Sequence, residues 1–303
     1  MKDVLVQSLG FILVILAGVV LKKLKMVKKE DGYTLAAIIM NVTLPCALFT
    51  SATGISFDAT MLVVLCLGLI FNLVLLLSAY LVSIKKEPTD KANYMLCCSG
   101  YNIGNFIIPF CEAFFPGVGV AYICMFDVGN AIMVLGGSFA LASAVATQKT
   151  KFHLKDLTDK LKASPPFLTY MVIVVMAIFE LSLPEEVMTI CSYVGDANGF
   201  LVMLMIGVLL ELKISKEEIG DVIRILVTRY GVNTLLALLI YFVIPLPILA
   251  KQVLVLTVYS PLSTIAPVFI LQCGYKKDVP AMTNSISIII SIIICITLLI
   301  LFV

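Results

Sequence analysis

The chain repeats one unit almost from end to end: an apolar run of about 20 residues, the length a helix needs to cross bilayer hydrocarbon. Residues 4–21 form such a run, and 279–302 form another without a single charge. Composition points the same way. Of 303 residues, 61 % are apolar and only 13 % charged, where a soluble domain carries roughly a quarter charged residues. Mean hydropathy is +1.11. Too few polar residues exist to solvate a surface around such a core, so the chain reads as an all-α polytopic membrane protein. No small-residue cleavage site follows residues 4–21, which are read as a first helix rather than a signal peptide.

Apolar runs between polar breaks give ten spans. The first half holds 4–22, 33–53, 60–83, 91–115 and 118–146; the second holds 166–183, 186–211, 219–243, 249–273 and 279–302. Connections are short and carry Pro, Gly or charge, as in Lys85-Lys86-Glu87-Pro88 and Pro245-Leu246-Pro247. The division is therefore 1–146, a cytoplasmic loop at 147–165, and 166–303. Within the loop Leu154, Leu157 and Leu161 share one helical face against lysines, which predicts a short helix on the membrane surface. With the N-terminus outside, 19 of the 21 basic residues fall in the loops of one side, leaving Lys2 and Lys251 opposite. That bias sets both termini extracytoplasmic in a multi-pass cell-membrane protein. The nine cysteines lie within or at the ends of apolar segments without metal-ligand spacing and read as packing residues. The only histidine, His153, sits in the central loop. No zinc motif, paired aspartates or Ser/His dyad is present, so an enzyme is disfavoured and no metal or cofactor is expected.

Five spans per half require the second half to enter the membrane from the opposite side, as an inverted repeat. An offset of 158 lays Tyr101 on Tyr259, Pro109 on Pro267, Asn102 on Ser260, Asn105 on Ser263 and Ile107 on Ile265. These pairs lie at the centres of the fourth and ninth spans. Proline removes a backbone donor and clashes with the preceding turn, so Pro109, Pro261 and Pro267 predict discontinuous helices 4 and 9. Freed backbone groups cannot face lipid; Asn102, Asn105, Ser260, Ser263 and Thr264 are the expected partners. Half-helices resuming near Pro109 and Pro267 would turn partial positive charge to the midplane and favour an anion. Two kinked helices without a site are the plainer alternative.

The segment Gly100-Tyr101-Asn102-Ile103-Gly104-Asn105-Phe106-Ile107-Ile108-Pro109-Phe110 resembles the fourth helix of the auxin efflux carrier family, in the bacterial form Asn-Thr-Gly-Phe-x-Gly-x-Pro-Leu. Asn102, Gly104 and Pro109 match, while Ile107 stands in place of a glycine and is expected to narrow the crossover. Asn41 to Phe49, Phe126 to Asn130, and Pro261 through Pro267 with Gly274-Tyr275 resemble the second, fifth and ninth helices of that family. The resemblance covers the whole chain. It implies ten transmembrane helices as two inverted five-helix repeats in which helices 4 and 9 cross. It also implies a scaffold of helices 1, 2, 6 and 7 beside a mobile transport domain of helices 3–5 and 8–10. By the same resemblance the chain is a secondary active transporter of the elevator type for a small organic anion such as a mono- or dicarboxylate, with a homodimer through the scaffold as a possible assembly. Nucleic acid has no place in it. A channel, a sensor scaffold and a carrier of a neutral solute are the alternatives.

Acids inside the membrane cost roughly 2.5–3.5 kcal/mol on insertion scales. Asp127 lies about 15 Å into its span by helical rise, with Asn130 on the same face. It is either a site for a coupling H⁺ or Na⁺ or a structural acid bonded to freed donors of the fourth helix. Asp196, between glycines that predict a distorted helix 7, is the other coupling candidate. Arg224 is expected to snorkel to the interface. Arg229 lies deeper than Arg224 and either attracts an anion from inside or pairs with an acid. Glu112, Glu180 and Glu211 are expected to be solvated near span ends.

Overall fold

The computed structural model describes residues 2–52, 58–147, 154–179, 181–210 and 217–302, and every regular element among them is helical. In chain order these are α1 (Lys2–Lys23), α2 (Lys29–Ile38) and α3 (Leu44–Ala52), the last two joined by a π-turn at Ile39–Thr43. Next come α4 (Ala59–Val82), α5 (Pro88–Cys98), a π-turn at Ile103–Ile107 that runs into α6 (Ile108–Phe114), and α7 (Val118–Ile132). A third π-turn, Met133–Gly137, leads to α8 (Ser138–Thr147). The remainder is α9 (Leu154–Lys162), α10 (Pro165–Ile178), α11 (Glu185–Gly195), α12 (Ala197–Leu209), α13 (Ile219–Phe242), α14 (Ile248–Val258), α15 (Ala266–Gln272) and α16 (Val279–Phe302).

Among the described residues seven stretches are long and apolar enough to cross a membrane: Val6–Lys23, Lys29–Ser51, Ala59–Val82, Val118–Thr147, Glu185–Leu209, Ile219–Phe242 and Val279–Phe302. The other three expected segments contain shorter apolar helices, Ile103–Phe114, Pro165–Ile178 and Ile248–Val258. Two of these are short because their segments are interrupted at mid-length. The fold is thus a multi-pass helical membrane protein. Local signals set many of the ends. Asp58 caps α4 by accepting the Met61 N–H at 2.9 Å, and Pro88 and Pro165 open their helices where a missing donor is harmless.

Without a hydrophobic force between helices in lipid, close contact depends on small residues. Here α1 packs on α12 through Gly18 and Gly207, and α4 packs on α7 through Gly68 and Gly129. A Cβ on Gly207 would sit 2.1 Å from the Ile15 carbonyl oxygen, and one on Gly129 2.2 Å from that of Leu65. Gly195 gives α11 the same intimacy with Ala47 of α3. Seven of the nine cysteines are buried; Cys46 is half-buried and Cys66 exposed.

The helix in the central loop corrects one expectation. Leu157 of α9 is buried against Gly136 of the third π-turn, so that face docks on protein instead of lipid. The Lys160 ammonium stands over the rings of Phe139 and Phe269, 4.8 and 4.7 Å from their centroids. His153, Glu180 and Glu211 lie outside the described residues.

Candidate functional site

The fourth segment leaves the helix at Ser99–Asn102 and the ninth at residues 259–265. Gly100 has φ +81°, a region glycine enters without the Cβ penalty of other residues. A side chain there would also press on Val134 and Ser263, at 3.1 and 3.3 Å. The two interruptions meet: the Asn102 N–H donates to the Pro261 carbonyl at 3.0 Å.

Every backbone group freed inside a membrane must find a partner, and here the partners come from neighbouring helices. Asn72 of α4 accepts the Gly100 N–H through Oδ1 at 2.7 Å. Asn130 of α7 accepts the Tyr101 N–H and donates back to the Tyr101 carbonyl, both at 3.0 Å. Its Oδ1 also takes a bond from Asn72 and its Nδ2 gives one to Asp127. All four bonds agree on one amide orientation.

Arg229 of α13 serves the opposite ends. Wholly buried, it donates to the carbonyl of Cys98, the last residue of α5, and to those of Ser260 and Pro261, at 3.0 and 3.1 Å, just past α14. Each helix C-terminus carries about −0.5 charge, so two of them match one guanidinium. Burying an ion costs several kcal/mol. Three charge-assisted hydrogen bonds at about 2 kcal/mol each and the Tyr101 ring, 5.3 Å away, offset it, though Nε is left without a partner.

A cavity of about 320 Å³ opens beside the junction. Its walls include Asn102, Gly104 and Asn105 from one interruption, Ser263 and Thr264 from the other, and Asp127 and Asn130 from α7. Met40 and residues of α10 close the far side. All three π-turns reach this wall, through Met40, through Ile103 to Asn105, and through Val134 and Leu135. Such turns recur at functional sites. Asp127 is held by Asn130 at 2.8 Å and by the Tyr170 hydroxyl of α10 at 2.7 Å. The Asn105 Oδ1 is buried without a partner. Among the described residues no three His, Cys, Asp or Glu side chains are grouped to hold a metal.

Several expected residues lie elsewhere. Pro109 and Pro267 sit in the first turns of α6 and α15, off the cavity wall. The helical path of the fourth segment resumes earlier, at Ile103, with Asn102 as its cap. Ser260 and Pro261 contribute carbonyls to Arg229 and are absent from the wall. The side chains of Asn102, Asn105, Ser260, Ser263 and Thr264, expected to pair with the freed backbone, are displaced in that role by Asn72, Asn130 and Arg229. Ile107 is wholly buried in the core and narrows nothing. Asp127 bonds side chains, not fourth-helix backbone. Asp196 is exposed at the joint between α11 and α12, away from the cavity. Arg229 neither lines the cavity nor pairs with an acid, because helix ends supply its counter-charge. Glu112 is half-buried and bonded, not solvated. Asn72, a lone amide in the apolar run 60–83, was open to notice on polarity alone; Tyr170 offered no such signal.

Asn130→Ala would orphan the N–H and carbonyl of the buried Tyr101 beside the cavity. At about 1–3 kcal/mol per lost partner, we expect a loss near 3 kcal/mol, read from unfolding in a mixed-micelle denaturant titration. A loss below about 0.5 kcal/mol would mean that water already serves those groups.

Stacked apolar spans, two interrupted helices joined at their breaks and a polar cavity beside the joint define a membrane transport protein. The family described as membrane transport protein, that of the auxin efflux carriers, matches residues 3–303, and the chain belongs to it. An uncharacterized transporter of Methanothermobacter thermautotrophicus is 22 % identical over 295 residues, covering 94 % of each chain.

Proposed function

We propose that this protein is a secondary transporter for a small organic anion, bound at the junction of the two interrupted helices. The observation that carries this reading is the Asn102 to Pro261 hydrogen bond, which brings two helix-breaking segments of opposite halves to one polar cavity. Asn102, Asn105, Ser263 and Thr264 supply amides and hydroxyls that orient a carboxylate. The first turn of Ile103–Phe114 adds backbone N–H groups and its positive helix end. Pro109, Ser260, Pro261 and Pro267 shape the site through the backbone.

The ten-span inverted repeat, with termini outside the cell membrane, is part of the same reading. The glycine crossings support its division into bodies. One joins α1 to α12 and another α3 to α11, inside the scaffold of helices 1, 2, 6 and 7; a third joins α4 to α7, inside the transport domain of helices 3–5 and 8–10. Carriage by an elevator stroke then moves the cavity with the second body, and the Tyr170 hydroxyl on Asp127 is a contact broken in that stroke. Asp127 and Asn130 are the sites for a coupling cation beside the anion.

A second reading, carriage of a neutral or cationic solute, draws on Asp127, which among the described residues is the one charged side chain on the cavity wall. Both are tested by screening mono- and dicarboxylates, neutral solutes and amines for thermal stabilisation of the purified protein, with and without sodium at two pH values. A true ligand at a hundredfold above its Kd stabilises by about 2.7 kcal/mol. We expect a carboxylate to do so, and Asn102→Ala to abolish the shift. Stabilisation by neutral solutes or amines alone transfers the site to the second reading.

A further inference from the structure

Glu112 stands apart from the cavity, on α6, where that helix meets α12 and the end of α3. Its Oε1 accepts from the Ser51 hydroxyl of α3 at 3.3 Å. From α12, Asn198 is wholly buried, and its Oδ1 is fixed by the Thr43 hydroxyl at 3.0 Å. That bond leaves Nδ2, which has no other partner, beside Glu112.

No basic group among the described residues pairs with this carboxylate. Among the described residues the ion pairs are Lys86 with Asp221 and Lys277 with Asp90, and neither involves it. The titratable groups that feel its charge are Asp196 at the start of α12, Cys111 beside it, Cys124 of α7 and Tyr170 of α10. From α1 the neighbour is Phe11, whose ring meets Phe110 and Phe114 of α6. Burial without a cationic partner disfavours its charge, while the Ser51 and Asn198 donors steady that charge, so the neutral form gains once those donors are left behind.

Location gives this chemistry a use. Ser51, Thr43 and Asn198 belong to the scaffold of the reading above, and Glu112 to the moving body. We propose that Glu112 is a proton-binding site on the boundary between the two bodies, separate from the anion site, and that protonation frees α6 to slide along α3 and α12. An ionised Glu112 would have to leave its donors and carry a bare charge across an apolar interface, which is costly. Protonated, it takes one H⁺ from water at the outer face and crosses as a neutral acid, and it returns that proton to water when its donors are regained. The inference rests on the transport reading and makes Glu112 a proton-gated lock on the stroke, distinct from the coupling-cation site at Asp127 and Asn130.

Two measurements on the full chain in liposomes test it separately from that reading. Infrared difference spectra between acid and alkaline buffer need no substrate. The protonated-carboxyl band is expected to lose a component in Glu112→Gln and to shift in Glu112→Asp, the variant that keeps an acid in place. Exchange of labelled malate, used as the probe, is expected in wild type to fall about tenfold per pH unit on the alkaline side, the slope of one required proton. In Glu112→Gln it should be flat with pH, and in Glu112→Asp displaced along the pH axis. A band unchanged in both variants overturns the proton site. A pH profile unchanged in both, or one removed by Asp127→Asn instead, overturns its role in the stroke. If the wild type moves no acid, the transport reading fails while the infrared band still decides whether Glu112 binds a proton.

Discussion

Arg229→Leu is expected to cost the folded protein about 4 kcal/mol, within the range for removing one side of a buried charged contact. Leucine fills much of the space but offers no donor to the carbonyls of Cys98, Ser260 and Pro261. Those groups face each other at the ends of α5 and α14, so the loss is not three separate hydrogen bonds. Two partial negative charges are left to repel across a dry gap. Arg229→Lys separates the contributions, since it keeps the charge but exchanges a planar fork for a single point. It should retain the electrostatic share and lose the geometric one, and so fall about midway. Thermal unfolding of the three proteins in one detergent reads the series. A leucine variant within about 1 kcal/mol of wild type would show that water or a small movement replaces the guanidinium, and that the junction is looser than drawn. The same variant would also weaken the proposed anion site, because the joint between Asn102 and Pro261 depends on both ends being held.

How far the sequence could see follows from the kind of information each feature leaves in it. Apolar runs are long and repeated, so the spans stood out, and a mid-span proline beside glycine and amides announced the interruptions. Where each interruption falls was harder. Pro109 is conspicuous, yet the helix fails ten residues earlier, at Ser99, since the chain yields where Gly100 permits a left-handed φ. Proline in a first turn is compatible with a helix and need not break it. The 158-residue offset picks out the two interrupted segments but not what holds them together. It lays Arg229 on Phe71 and Asn72 on Tyr230, so the junction is held by different chemistry on its two sides and internal symmetry is blind to it. The surroundings of Glu112 and Asp196 are illegible for a related reason. Depth along a span is readable from residue count, but which side of the helix meets another helix is not, and Asp196 turns outward where Asn198, two residues on, turns in.

Gly129→Val and Gly68→Val should each be among the most damaging substitutions in the chain, although neither residue touches the cavity. The two glycines face each other's helix: a Cβ at 68 would stand 2.2 Å from the Phe126 carbonyl oxygen, and one at 129 just as close to that of Leu65. Both obstacles are backbone, so no rotamer change makes room and the helices must part. Overpacking of side chains costs about 1–3 kcal/mol, and forcing apart two backbones belongs at or above the top of that range. Separation also pulls α7 away from α4, and with it Asn130 from Asn72, whose amides hold Tyr101 and Gly100 at the interruption. Packing loss and loss of the junction therefore arrive together. Gly199→Ala, where a Cβ meets nothing within 4 Å, is the matched control and should change little or stabilise slightly through helix propensity. The yield of monodisperse protein and its unfolding temperature give the comparison. If the valine variants matched the control, the α4 and α7 backbones would not be in contact. The rigid body that the transport reading assigns to helices 3–5 would then lose its main internal support.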